Sequence, residues 1–180
     1  MSATNRGAVR DEYDFFATPP EAVDALVEHG GLNTLAEAQE VSTANGLFVD
    51  LGAGNGNIAV RLKERLGLAA IGIETHEGRA EACRAAGVPC ATGDFLSADV
   101  LALRDALMAQ VRLAADTHEG ARPQYLITGG NPPYSNAKAF IERGCIATKA
   151  FGEAHLQLPL TALAHVQLLR INFLGSIAKR

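Results

Sequence analysis

The sequence predicts an α/β fold, a mostly parallel sheet with helices on both faces. Three observations predict it. From Leu47 onward, apolar runs of strand length alternate with segments whose apolar residues recur at helical spacing. Each interval holds one helix, and a strand–helix–strand crossover returns the chain parallel to itself. Apolar residues make up 48% of the 180-residue chain and charged residues 20%, which suits one domain, residues 1–180, with an ordinary core.

The elements follow in order. Residues 1–14 read as a mobile, charged lead-in. Thr18-Pro19-Pro20-Glu21 opens a helix, with Thr18 as N-cap, proline in the first turn and Glu21 completing a capping box. Ala22, Val23, Leu26 and Val27 form its apolar stripe, and Gly30-Gly31 ends it. Leu32 to Val41 has room for another helical turn or two. Leu47 to Leu51 is a short strand, and Gly56 to Leu66 a helix with Ile58, Leu62 and Leu66 inward. Ala69 to Ile73 is the second strand, Glu77 to Ala86 a helix, and Val88 to Ala91 a third strand. Val100 to Leu113 is an amphipathic helix, and Ala114 to Pro123 a polar loop. Tyr125 to Thr128 is the fourth strand, and Ala137 to Ala147 the next helix. His165 to Leu174 is the candidate fifth strand, although Val166, Leu169, Ile171 and Leu174 commit to no single period.

Composition removes several classes of function. No apolar run approaches the ~20 residues of a membrane span, and Met1 to Arg10 lacks the apolar stretch of a signal peptide. Cys83, Cys90 and Cys145 are odd in number and lack metal-type spacing. They read as reduced, buried or inert thiols in a cytoplasmic protein. The five histidines show no ligand spacing either, so no metal is expected. Charge is unevenly spread: residues 1–120 carry 9 Lys/Arg against 18 Asp/Glu, whereas residues 121–180 carry 7 against 2. The later part is basic, as a phosphate-facing surface would be.

Four strand ends carry candidate site residues. Asn131-Pro132-Pro133-Tyr134 follows the fourth strand. Two prolines restrict the backbone before them to extended geometry. The Asn131 side chain and the Pro132 carbonyl then offer two acceptors, and Tyr134 a flat face, to an exocyclic amine on a planar ring. A rigid turn is the competing reading of the same tetrad. After the first strand, Asp50 precedes Gly52, Gly54 and Gly56, a loop whose backbone can approach a ligand closely at a helix N-terminus. Its G-x-G-x-G pattern differs from the G-x-G-x-x-G of dinucleotide folds, and Asp50 would repel a pyrophosphate but attract an ammonium or sulfonium group. Glu74 ends the second strand, where a carboxylate can accept from a ribose diol; a solvated strand-end glutamate is the alternative. Asp94 and Phe95 follow the third strand, suited to an adenine amino group and ring or, alternatively, to a turn and the core.

With these four ends in place, the chain resembles the S-adenosylmethionine-dependent methyltransferases with a Rossmann-like sheet, and within them the amino-group enzymes that carry Asn-Pro-Pro-Tyr. It looks most like the small N6-adenine DNA methyltransferases of phage and prophage type. Those have an aromatic segment ending in Thr-Pro-Pro ahead of the glycine loop, matched here by Asp14-Phe15-Phe16-Ala17-Thr18-Pro19-Pro20. The resemblance covers about residues 13–175. It implies that Phe16, Thr18 and Pro19 pack along the methionine end of S-adenosylmethionine, with Asp50 near its amino-acid portion and Gly52, Gly54 and Gly56 seating it. Glu74 would hold the ribose, Asp94 and Phe95 the adenine, and Asn131, Pro132, Pro133 and Tyr134 the substrate adenine of DNA, extruded from the stack.

The pattern departs from the family toward the C-terminus. Asn172-Phe173-Leu174-Gly175 resembles the family's fifth-strand region, and Lys179-Arg180 follow soon after, so the closing strands are expected to be missing or completed by a homodimer or complementing chain. Gly129-Gly130 is expected to make the loop before Asn131 flexible. Protein-glutamine N5 methylation, RNA adenine methylation, cytosine N4 methylation and a degenerate cofactor- or DNA-binding module remain open alternatives.

Overall fold

The computed structural model describes residue 15 and residues 17–97, 105–106, 108–110, 123–156 and 162–168. Helix α1 spans Pro20–His29 and α2 spans Leu32–Ala38; strand β1 is Gly46–Asp50, α3 is Asn57–Leu66, β2 is Ala69–Glu74, α4 is Glu77–Ala85 and β3 is Cys90–Thr92. Strand β4 is Tyr125–Gly130, α5 is Ala137–Phe151 and β5 is Leu163–Gln167. Of the helix expected over Val100 to Leu113, residues 105–106 and 108–110 are helical and the rest lies outside the described residues.

All four strand pairings are parallel, in the order β3-β2-β1-β4-β5. Strand β1 is central and buried at every residue, which explains why Leu47 to Val49 is a continuous apolar run rather than an alternating one; it runs one residue earlier than the expected Leu47 to Leu51. Chain order reverses beside it, because β2 lies on one side and β4 on the other. The loops leaving β1 and β4 therefore diverge and open a crevice at the carboxyl edge of the sheet. The glycine loop and Asn131 leave from those two strands. Leu62, Leu68, Ile71, Leu126 and Ile127 are fully buried in the core.

Strand β4 runs two residues further than expected. Gly129 pairs with Asp50 on one side and Val166 on the other, and Gly130 pairs with Gln167. A Cβ on Gly129 would come within 2.1 Å of the Val166 carbonyl oxygen. The two glycines are thus closely packed strand residues, not the flexible loop that their composition suggests. The fifth strand begins at Leu163, two residues before the expected start, and Asn172–Gly175 lies outside the described residues. Strand β5 is only half-buried. A polar chain fastens it: His165 Nδ1 lies 2.7 Å from Thr128 Oγ1, Thr128 bonds Thr148 on α5, and the Thr148 hydroxyl donates to the Gly144 carbonyl. Burial lowers the pKa of His165 and so favours its neutral form.

Helix α1 packs Val23 and Val27 into the core, and Asp24 accepts two bonds of 2.9 Å from Arg61 on α3. This fixes the segment just before α1 beside the glycine loop. Thr18 is not the N-cap. Pro19 holds that position, and no side chain caps the helix, because the Thr18 hydroxyl is engaged elsewhere. Cys83 and Cys90 are buried and Cys145 is exposed, all as free thiols. Among the described residues there is no metal-binding cluster of His, Cys, Asp or Glu, and no helix is long and apolar enough to cross a membrane.

Candidate active site

Asp50 ends β1 with no solvent exposure. Its Oδ1 accepts from the Gly52 amide at 3.3 Å, and its Oδ2 is buried without a hydrogen-bond partner. Burial pushes its pKa up to about 7; the Gly52 amide opposes this, and the charge of Glu74 adds to it. Gly130 makes room for the carboxylate, since a Cβ there would stand 2.9 Å from Asp50 Oδ1. The arrangement holds a buried acid with one oxygen that lacks a hydrogen-bond partner.

Glu74 ends β2 and is 6% exposed. Its Oε2 accepts from the Gly54 amide at 2.8 Å. Its Oε1 accepts from the His76 amide at 2.9 Å, the Thr75 hydroxyl at 3.3 Å and Arg79 Nε at 3.2 Å. The carboxylate thus ties the glycine loop to the first turn of α4. The Arg79 guanidinium lies 4.8 Å over the Phe15 ring. That ring also stands against the glycine loop: a Cβ on Gly54 would be 2.4 Å from Phe15, and Gly54 has φ +53°, so glycine suits the position twice over. Phe16 lies outside the described residues.

After β3, Asp94 Oδ1 accepts from the Leu96 amide at 2.9 Å and Oδ2 from the Ser97 hydroxyl at 2.7 Å. The Ser97 hydroxyl leads in holding its carboxyl below the usual range; backbone amides and the Arg143 charge assist, against partial burial. Phe95 is 2% exposed, with its ring 5.4 Å from that of Phe140 on α5. Asp94 therefore shapes a turn and Phe95 joins the core, yet both still line the cavity described below.

Asn131 follows β4. Its Nδ2 donates to the Thr18 hydroxyl at 3.1 Å, and the Thr18 carbonyl accepts from Asn57 Nδ2 at 3.2 Å, at the start of α3. Pro132 is buried, Pro133 and Tyr134 are half-buried, and Tyr134 begins a short 3₁₀ turn, Tyr134–Asn136, leading into α5.

These strand ends enclose one cavity of about 360 Å³ at the carboxyl edge of the sheet. Gly52, Glu74, Asp94, Phe95, Asn131 and Pro133 line it, with Phe15, Thr75, Arg79 and Phe140. A smaller recess beside it is lined by Thr18, Gly52, Asn57 and Asn131. Asp50, Gly54, Gly56, Pro19, Pro132 and Tyr134 do not line the larger cavity. Arg79 has a legible signal, five residues past a strand-end glutamate on the first turn of a helix. Phe140 has none, because it reads as one more apolar residue of its helix.

No protein-family model matches the sequence, and no curated protein matches it. Among solved structures, the chain is similar to an RNA methyltransferase from Salinibacter ruber in complex with S-adenosyl-L-homocysteine, at 20% identity and TM-score 0.37 over 71% of each chain. A putative RNA methyltransferase from Pyrococcus horikoshii is 16% identical with TM-score 0.48, over 97% of this chain and 72% of that one. TrmN from Thermus thermophilus is 13% identical with TM-score 0.43, over 87% of this chain and 44% of that one. These are likenesses of backbone arrangement and of nothing finer.

Proposed function

We propose that this chain transfers a methyl group from S-adenosylmethionine to the exocyclic N6 amine of adenine in DNA. One observation carries the reading: Glu74, Asp94, Phe95 and Asn131, from three different strand ends, line one cavity at the point where strand order reverses. The residues fit the donor. Asp50 does not line the cavity, but it lies behind Gly52, which does, and its buried Oδ2 lacks a hydrogen-bond partner. Glu74 can accept from ribose hydroxyls on exchanging Arg79, and Phe95 offers a flat apolar face to a purine.

S-adenosylmethionine, when bound, supplies an electrophilic methyl carbon on a sulfonium. The protein's own contribution is positioning and charge. An aryl amine is a poor nucleophile because its lone pair is delocalised into the ring. Accepting its two N–H groups at Asn131 Oδ1 and the Pro132 carbonyl favours a pyramidal nitrogen whose lone pair is available for in-line attack. With the donor bound, the nitrogen would gain a bond to the methyl carbon as that carbon's bond to sulfur breaks, the electron pair leaving with sulfur as a neutral thioether, and the nitrogen would then lose one proton to solvent. Tyr134 does not line the cavity that Glu74 lines, so the cavity lends no support to the stacking role expected of it. The basic composition of residues 121–180 favours a nucleic-acid partner.

The test offers plasmid DNA, total RNA and a glutamine-bearing translation release factor to the protein with methyl-labelled S-adenosylmethionine. Label on N6 of DNA adenine is the expected result. Label confined to RNA, to cytosine or to glutamine would overturn the choice of substrate.

A further inference from the structure

We infer that Thr18 is a positioning residue for Asn131, fixing the plane of its amide between the cavity and the recess beside it. The inference rests on the methyl-transfer reading above and adds a residue that acts through another. Thr18 is 6% exposed, and it is one of five buried polar or charged residues among those described. A buried hydroxyl needs a partner. The local sequence offers the helix N-terminus, but Pro19 is the N-cap and no side chain caps α1. Instead the hydroxyl accepts from Asn131 Nδ2 at 3.1 Å, across 113 positions of sequence. The Thr18 carbonyl meanwhile accepts from Asn57 Nδ2 at 3.2 Å. Thr18 is therefore held against α3 while it holds Asn131.

This bond matters because of what else is already fixed. Pro132 restricts the backbone of Asn131, which leaves its side-chain torsions as the remaining freedom. The amide is planar, so anchoring Nδ2 also sets the place of Oδ1. A half-turn of that plane would present N–H donors to a substrate amine that itself donates, and the acceptor bond at Asn131 would be lost. Asn131 lines both the larger cavity and the recess that Thr18 lines, so its amide stands between the two.

The experiment compares Thr18→Val, which keeps the shape and removes the hydroxyl, with Thr18→Ser, which keeps the hydroxyl. Single-turnover methylation of an adenine-containing duplex oligonucleotide is measured at saturating S-adenosylmethionine, together with cofactor affinity by calorimetry. Thr18→Val is expected to slow turnover at saturating S-adenosylmethionine by about 10-fold to 100-fold, as a small misplacement of a reacting group does, so that the loss is not one of cofactor affinity alone. Thr18→Ser is expected to restore the rate. In an Asn131→Ala background, Thr18→Val is expected to add no further loss. A second readout does not depend on turnover: the Asn131 side-chain amide protons, assigned by NMR against Asn131→Ala, exchange slowly in the wild type and quickly in Thr18→Val. Absence of methylation by the wild type on every nucleic acid tried would reject the proposed function, while the amide protons would still decide the positioning. A Thr18→Val protein with wild-type rate and protected amide protons would overturn the inference. So would a loss residing wholly in cofactor affinity.

Discussion

At the glycine-loop end of the cavity, Glu74 accepts from two backbone amides, a hydroxyl and a guanidinium, and Asp50 lies beneath with a raised pKa. At the other end, the Asn131 amide is tied to the Thr18 hydroxyl, and neither partner carries a charge. The first end is built from carboxyl groups on neighbouring strands, and the hydrogen bonds of Glu74 organise it. The second is oriented by a neutral bond to a distant segment. Under the proposed function, recognition of a charged donor and delivery of a neutral amine would make different demands on the two ends of one sheet edge.

The contrast predicts separable failures. Asn131→Ala should have the largest effect, lowering the single-turnover rate by about 100-fold to 1,000-fold, the range for losing one preorganised polar group, while calorimetry finds cofactor affinity intact. Affinity falling in parallel with rate would erase the division between the two ends. Glu74→Gln comes next, with the opposite signature. It weakens charge-assisted bonds worth about 1.5–3 kcal/mol, so S-adenosylmethionine should bind about 10-fold to 100-fold more weakly. Rate at saturating donor should largely recover.

Protonation sharpens the comparison further. The pKa of Asp50 is raised from 3.8 to about 7, so the ligand-free fold retains a proton that the unfolded chain has lost. Its contribution to stability is full below 3.8 and is lost as pH rises to about 7. A bound ammonium requires the ionised form. Donor affinity should therefore rise by up to about 10-fold per pH unit, levelling near pH 7, with proton release visible by calorimetry in buffers of different ionisation enthalpy. Asp50→Asn should flatten that profile and raise the melting temperature of the ligand-free protein at pH 8. The smallest effect expected is that of Gly54→Ala, which places a methyl against Phe15 at φ +53°. Thermal denaturation should show a loss of about 1–2 kcal/mol, and Phe15→Ala should relieve its steric part.

Much of this was readable from local pattern. Strands β1, β2 and β4 are buried throughout or nearly so, and burial on both faces writes itself as an apolar run. The half-buried edge strand β5 leaves no such trace, so its start was misplaced. Gly129-Gly130 reads as a loop by composition, and only pairing with β1 and β5 makes it strand. Thr18 matches the capping pattern because Glu21 follows three residues later, yet its partner is Asn131, which no local window contains. That Asp50, Glu74 and Asn131 stand at strand ends on one sheet edge was legible, because parallel strands end on the same side. The roles of Phe15, Arg79 and Phe140 depend on packing between elements.

The 113-residue span between Thr18 and Asn131 also bears on the order in which the molecule comes apart. A contact of such separation closes only after the sheet between its ends exists, and a segment held by few bonds opens at lower free energy than the core does. Gentle heating should therefore extinguish the proposed methyl transfer before circular dichroism registers any loss of the sheet. On cooling, activity should return without a refolding lag, because the scaffold never dissolved.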